Sequence, residues 1–76
     1  MIDFKRFGDT DTFYIMRVIT RDHKGKFIKK VLTPIGYICR FHTNEAYTFQ
    51  LYNLPIGLQN LTTNELGKIY NFMKQL

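Results

Sequence analysis

From Thr12 to Thr20 the chain reads Thr-Phe-Tyr-Ile-Met-Arg-Val-Ile-Thr, crowded with β-branched and aromatic residues and without Gly or Pro, which predicts a strand. A second run, Lys26 to Thr33, has the same character. Between them Asp22-His23-Lys24-Gly25 puts Asp at the first and Gly at the fourth position of a type I turn, so the two runs predict a β-hairpin. Pairing Arg21 with Lys26 across that turn gives the rungs Thr20/Phe27, Ile19/Ile28, Val18/Lys29, Arg17/Lys30, Met16/Val31 and Ile15/Leu32. A one-residue bulge near Gly25 would shift all of them.

Thr33-Pro34-Ile35-Gly36 predicts the next turn, and Tyr37 to His42 a third strand with Tyr37, Cys39 and Phe41 on one face. After a reversal at 42–45, the alternation of Tyr47, Phe49 and Leu51 with Thr48 and Gln50 marks a half-buried fourth strand. Short reversals between consecutive strands require antiparallel pairing, since parallel neighbours need crossovers of a dozen residues or more. The segment Ile2 to Gly8 is compatible with an edge strand or a turn of helix. Pro-Ile-Gly recurs at 55–57 in a loop, but its flanks differ from those of the first copy, so it is a reused turn rather than an internal repeat.

The loop ends at Thr62-Thr63-Asn64-Glu65, a capping box in which the Thr62 hydroxyl and the Glu65 carboxylate each satisfy a backbone N–H, with Leu61 and Leu66 placed for a hydrophobic staple. A helix is predicted from here. Leu66, Ile69, Tyr70 and Met73 form its expected apolar stripe, with Phe72 and Leu76 on the margins, and Lys68, Asn71, Lys74 and Gln75 left for solvent. The fold class is α+β: a four-stranded antiparallel meander with one C-terminal helix on one face, in the order ββββα, as a single domain over residues 1–76.

Charge changes this picture most. The chain carries eleven Lys and Arg against six acids, and six of those bases, Arg17, Arg21, Lys24, Lys26, Lys29 and Lys30, fall between residues 17 and 30 with one acid, Asp22. The rest of the chain is balanced, with five bases and five acids. In the rungs above, Arg17/Lys30 and Arg21/Lys26 put like charges opposite each other, which costs up to roughly 1 kcal/mol per rung. Three explanations compete: Lys and Arg stems that cover apolar surface or guard a strand edge, a ribbon that contacts phosphates, and a surface that docks on an acidic protein.

Candidate chemistry is sparse. Asp9-Thr10-Asp11-Thr12 has the Asp-x-Asp spacing used by some phosphatases but lacks the preceding buried strand and large α/β domain, so it is read as a polar turn. Cys39 and His42 diverge on a strand, and His23 is the one further histidine, too few for a structural zinc site. The acids are scattered, and no phosphate-binding Gly loop is present. No catalytic residue, metal or cofactor is expected. The lone cysteine excludes an internal disulfide and fits a reducing compartment; no apolar run approaches the roughly 20 residues of a membrane span, and a cytoplasmic location is expected.

The function expected is a small non-catalytic binding protein of phage or mobile-element type. Its basic hairpin (Arg17, Arg21, His23, Lys24, Lys26, Phe27, Lys29, Lys30) would contact nucleic acid or a nucleoprotein, the cations meeting phosphates and Phe27, His23 or Tyr14 stacking on a base. The first alternative is an anti-defence inhibitor docking on an acidic surface of a host enzyme, anchored by Tyr37, Tyr47 or Tyr52. The second is a structural or adaptor protein that dimerises through the sheet face the helix leaves open.

Overall fold

The computed structural model describes the backbone of residues 1–23, 27–54 and 60–76, and the side chains of 1–18, 31–54 and 60–76. Four strands, β1 (Ile2–Arg6), β2 (Phe13–His23), β3 (Phe27–Cys39) and β4 (Thr48–Leu51), precede one helix, α1 (Thr63–Lys74). The strands pair antiparallel in the order β1-β2-β3-β4, so the fold is an α+β meander with a C-terminal helix.

The count of strands agrees with the sequence reading, but two boundaries differ. Ile2–Arg6 forms the edge strand β1, while the runs predicted as the second and third strands are one strand, β3. Thr33-Pro34-Ile35-Gly36 does not turn. It forms a β-bulge: Ile15 pairs with Gly36 and Met16 with Pro34, leaving Ile35 opposite no residue. A bulge is where a central strand tolerates a proline, because the ladder is already interrupted there. The Ile35 carbonyl accepts from the Tyr52 N–H at 2.8 Å, and its side chain is 1% exposed. Gly36 is required by proximity, since a Cβ there would press on the Gln50 carbonyl oxygen and lie 3.1 Å from Leu51 Cα in β4.

The polar Asp9–Thr12 segment is the β1–β2 turn. Phe7 N–H donates to Thr12 O at 2.8 Å, and Gly8 adopts φ of 56°, the left-handed conformation that glycine accepts without steric cost. The turn is tied to the β3–β4 connection by Arg40, whose Nε and Nη2 donate to Asp11 Oδ2 at 3.0 and 2.9 Å and whose guanidinium lies 4.6 Å over the Tyr47 ring.

The core lies between one sheet face and α1. Ile2, Phe13, Ile15, Ile35, Ile38 and Ile69 are buried, with Phe4, Tyr47, Phe49, Leu51, Phe72 and Met73 packed against them. Fully burying each isoleucine contributes roughly 1.5–3 kcal/mol. The capping box forms as predicted: Thr62 Oγ1 accepts from Glu65 N–H at 3.1 Å and Glu65 Oε1 from Thr62 N–H at 3.0 Å.

The helix is rotated from its predicted stripe. Ile69 is fully buried, but Tyr70 is 55% exposed and touches Phe49 only edge to face, while Phe72 is drawn in to stack on Phe4 at 4.1 Å and meet Phe13 edge-on at 5.1 Å. Lys68 is not left to solvent alone, because its Nζ donates to Ile2 O at 2.6 Å. Phe41 does not share a strand face with Tyr37 and Cys39; it follows the end of β3 and is 86% exposed.

β2 and β3 outrun their neighbours. β1 reaches along β2 to Val18, whose N–H donates to Met1 O, and β4 begins its pairing at Gly36. Beyond these limits the strands continue as a two-stranded ribbon from Val18↔Leu32 to His23↔Phe27. Six residue pairs at about 3.3 Å each make an arm of roughly 20 Å. The extents of the molecule, 50 × 26 × 21 Å, match that elongation.

Candidate functional site

The ribbon is built from the segment that carries the excess charge, with a different register from the one expected. His23 pairs with Phe27, Arg21 with Lys29, Thr20 with Lys30, Ile19 with Val31 and Arg17 with Thr33. The predicted rungs from Arg21 to Met16 are thus displaced by three residues, because Asp22 and His23 belong to β2 rather than to a turn, and that of Ile15 by four, because the bulge at Ile35 adds one more. The correction removes the Arg17/Lys30 and Arg21/Lys26 rungs and leaves Arg21 opposite Lys29 as the like-charged rung among the described pairs. Lys24, Lys26 and the expected turn at Gly25 lie outside the described residues, as does the loop at 55–59. Backbone positions set Arg21, His23, Phe27, Lys29 and Lys30 on the arm.

Arg17 is held at the root of the arm. Its Nη1 donates to Glu65 Oε2 at 3.2 Å and its Nη2 to the Asn60 carbonyl at 2.8 Å, and both side chains of the ion pair are largely buried. The Met1 ammonium lies 3.3 Å from the same carboxylate oxygen. Burial pushes the Glu65 carboxyl up, but the Thr62 N–H, the Met1 ammonium and the Arg17 guanidinium pull it down and prevail, so it sits below the usual carboxylate value. Arg17 therefore joins the ribbon to the helix start, and the remaining five bases of the segment extend beyond it in the chain.

The sheet face away from α1 holds a second feature, which sequence reading placed only as an aromatic surface. Lys5 of β1, Tyr14 of β2, Tyr37 of β3 and Gln50 of β4 are successive cross-strand partners, a single row across the sheet. Tyr37 Oη bonds Gln50 Oε1 at 3.0 Å, and the Tyr37 and Tyr52 rings are 5.9 Å apart. Phe7 meets Tyr14 edge to face at 5.5 Å. Around this row a cleft of about 530 Å³ is lined by Lys5, Arg6, Phe7, Gly8, Tyr14, Met16, Pro34 and Tyr52. Of the tyrosines suggested as anchors, Tyr37 and Tyr52 lie on this face, whereas Tyr47 packs against the core.

Cys39 lies in β3, and His42 is exposed in the connection that follows. Among the described residues no group of three His, Cys, Asp or Glu side chains could hold a metal ion, and no helix is long and apolar enough to cross a membrane. No family model matches the chain, and neither a curated protein nor a solved structure is significantly similar to it.

Proposed function

We propose that the protein is a non-catalytic nucleic-acid-binding protein whose projecting β-ribbon meets the phosphate backbone. The observation that carries the reading is the coincidence of shape and charge: Arg21, Lys29 and Lys30 lie on the described arm beyond β1 and β4, and Lys24 and Lys26 fall in the sequence between its two strands. A two-stranded ribbon has the width to enter a major groove, and lysines along it neutralise phosphates without reading sequence. Arg17, engaged with Glu65, belongs to the scaffold that aims the arm rather than to the contact surface. Cytoplasmic placement and a phage or mobile-element role accord with this reading, as does the lone thiol.

The test is charge reversal on the ribbon. A Lys29→Glu, Lys30→Glu variant with an unchanged circular dichroism spectrum should lose at least tenfold in affinity for both duplex and single-stranded DNA. Unchanged binding by the folded variant rejects the ribbon as the contact.

A second reading, an inhibitor that docks on an acidic host protein, draws on the exposed Phe41. It requires that Phe41→Ala weaken the complex and that nucleic acid not compete for the protein.

A further inference from the structure

We infer that the open sheet face is a second subsite, which takes the unpaired bases of a single strand whose phosphates run toward the ribbon; this rests on the nucleic-acid reading above. Beside Lys5 and Arg6 the cleft is lined by the apolar and aromatic side chains of Phe7, Tyr14, Met16, Pro34 and Tyr52. Bases stack on such rings irrespective of their identity, since every base presents a π face. Stacked bases inside a duplex offer no such face, so the occupant is single-stranded.

Charge selects the same partner. Lys5 and Arg6 line the β1 side of the cleft, and among the described residues neither has a carboxylate within ion-pair distance. Arg6 lies 5.0 Å over the Phe13 ring, which leaves Lys5 as the principal phosphate contact. Asp3, two residues along β1, accepts from the Phe4 N–H at 2.9 Å and borders a separate cleft with Val18, Leu32 and Lys68. Asp11 is engaged by Arg40. Cations beside an aromatic lining suit an anionic chain with flat apolar substituents.

The platform is also held in position before any partner arrives. Phe7 supports the Tyr14 ring edge-on, and the Tyr37 hydroxyl is fixed by Gln50, so little side-chain ordering remains to be done on binding. The protein has five tyrosines and no tryptophan, so stacking on this face reports directly as quenching of tyrosine fluorescence.

The experiment compares a twelve-residue oligothymidylate with a duplex of equal length, using wild type and the Tyr14→Leu, Tyr52→Leu, Tyr14→Phe and Lys29→Glu, Lys30→Glu variants of the full chain. Tyr14→Leu and Tyr52→Leu should each weaken oligothymidylate binding about tenfold with duplex affinity unchanged, and Tyr14→Phe should keep it. If one leucine variant does not fold, the other carries the same test from a second lining residue of the cleft. Unchanged single-strand affinity in a folded leucine variant, together with loss of both ligands in the lysine variant, overturns the subsite while the ribbon reading stands. Absence of binding to either ligand by the wild type removes both. A homodimer in light scattering that dissociates on Tyr14→Leu also overturns the subsite, because a second copy then covers the face.

Discussion

The guanidinium of Arg17 sits 3.2 Å from the carboxylate of Glu65, forty-eight residues further along the chain, and joins the base of the ribbon to the first turn of the helix. Glu65 serves two structures at once. One oxygen closes the capping box with Thr62, and the other receives Arg17. Removing one member of such a pair leaves the other buried and uncompensated.

Arg17→Met should therefore destabilise the fold by about 3 kcal/mol in a urea titration, with the Thr62 N–H and the Met1 ammonium continuing to satisfy part of the Glu65 charge. A change below about 0.5 kcal/mol contradicts the bridging role.

The same carboxylate predicts an acid limb. Its value in the folded state is lowered, so its contribution to stability is complete above its ordinary value of 4.5. It is lost as pH falls through the folded value, below that point. Glu65→Gln should flatten the decline in stability measured between about pH 5 and pH 2. An equally steep acid limb in that variant assigns the decline to other carboxylates.

Gly36→Ala should cost about 2 kcal/mol or more, because the added methyl meets the Gln50 carbonyl and the Leu51 Cα of β4 rather than a flexible side chain. Hydrogen exchange should show the β3–β4 pairing loosened first. A neutral effect would mean that the close approach of these strands is absent.

Phe72→Ala should cost about 3 kcal/mol by calorimetry, since it removes the ring stacked on Phe4 and edge-on to Phe13. Tyr70→Ala should cost less than about 1 kcal/mol, because Tyr70 faces solvent apart from its contact with Phe49. The reverse ranking restores the helix orientation that the sequence alone suggests.

That contrast shows where local pattern stops being informative. The capping box was legible because Thr62 and Glu65 are three residues apart and bond each other. The rotation of the helix was not, because the partners of its buried face, Arg17 for Glu65 and Phe4 and Phe13 for Phe72, lie on β1 and β2, outside the helix's own sequence. Pro34 and Gly36 read as turn residues, yet they serve a bulge and a close strand approach that become visible only once β4 is in place.

The hairpin was legible as an element but not in register. The Asp22–Gly25 turn signal competed with two further strand pairs, Asp22↔Ile28 and His23↔Phe27, and the mixed polar pattern of both strands did not fix the pairing. The aromatic row was out of reach for a related reason: Lys5, Tyr14, Tyr37 and Gln50 come from four strands and align only through register. The charge on the arm, by contrast, survives any register.

The most direct measurement is the dependence of DNA affinity on salt. Neutralisation of up to five phosphates by Arg21, Lys24, Lys26, Lys29 and Lys30 gives a slope of log affinity against log salt of down to roughly −4.5 on duplex, reduced in magnitude by about 2 in Lys29→Glu, Lys30→Glu. A slope near zero, or one that the two substitutions leave unchanged, contradicts the contact.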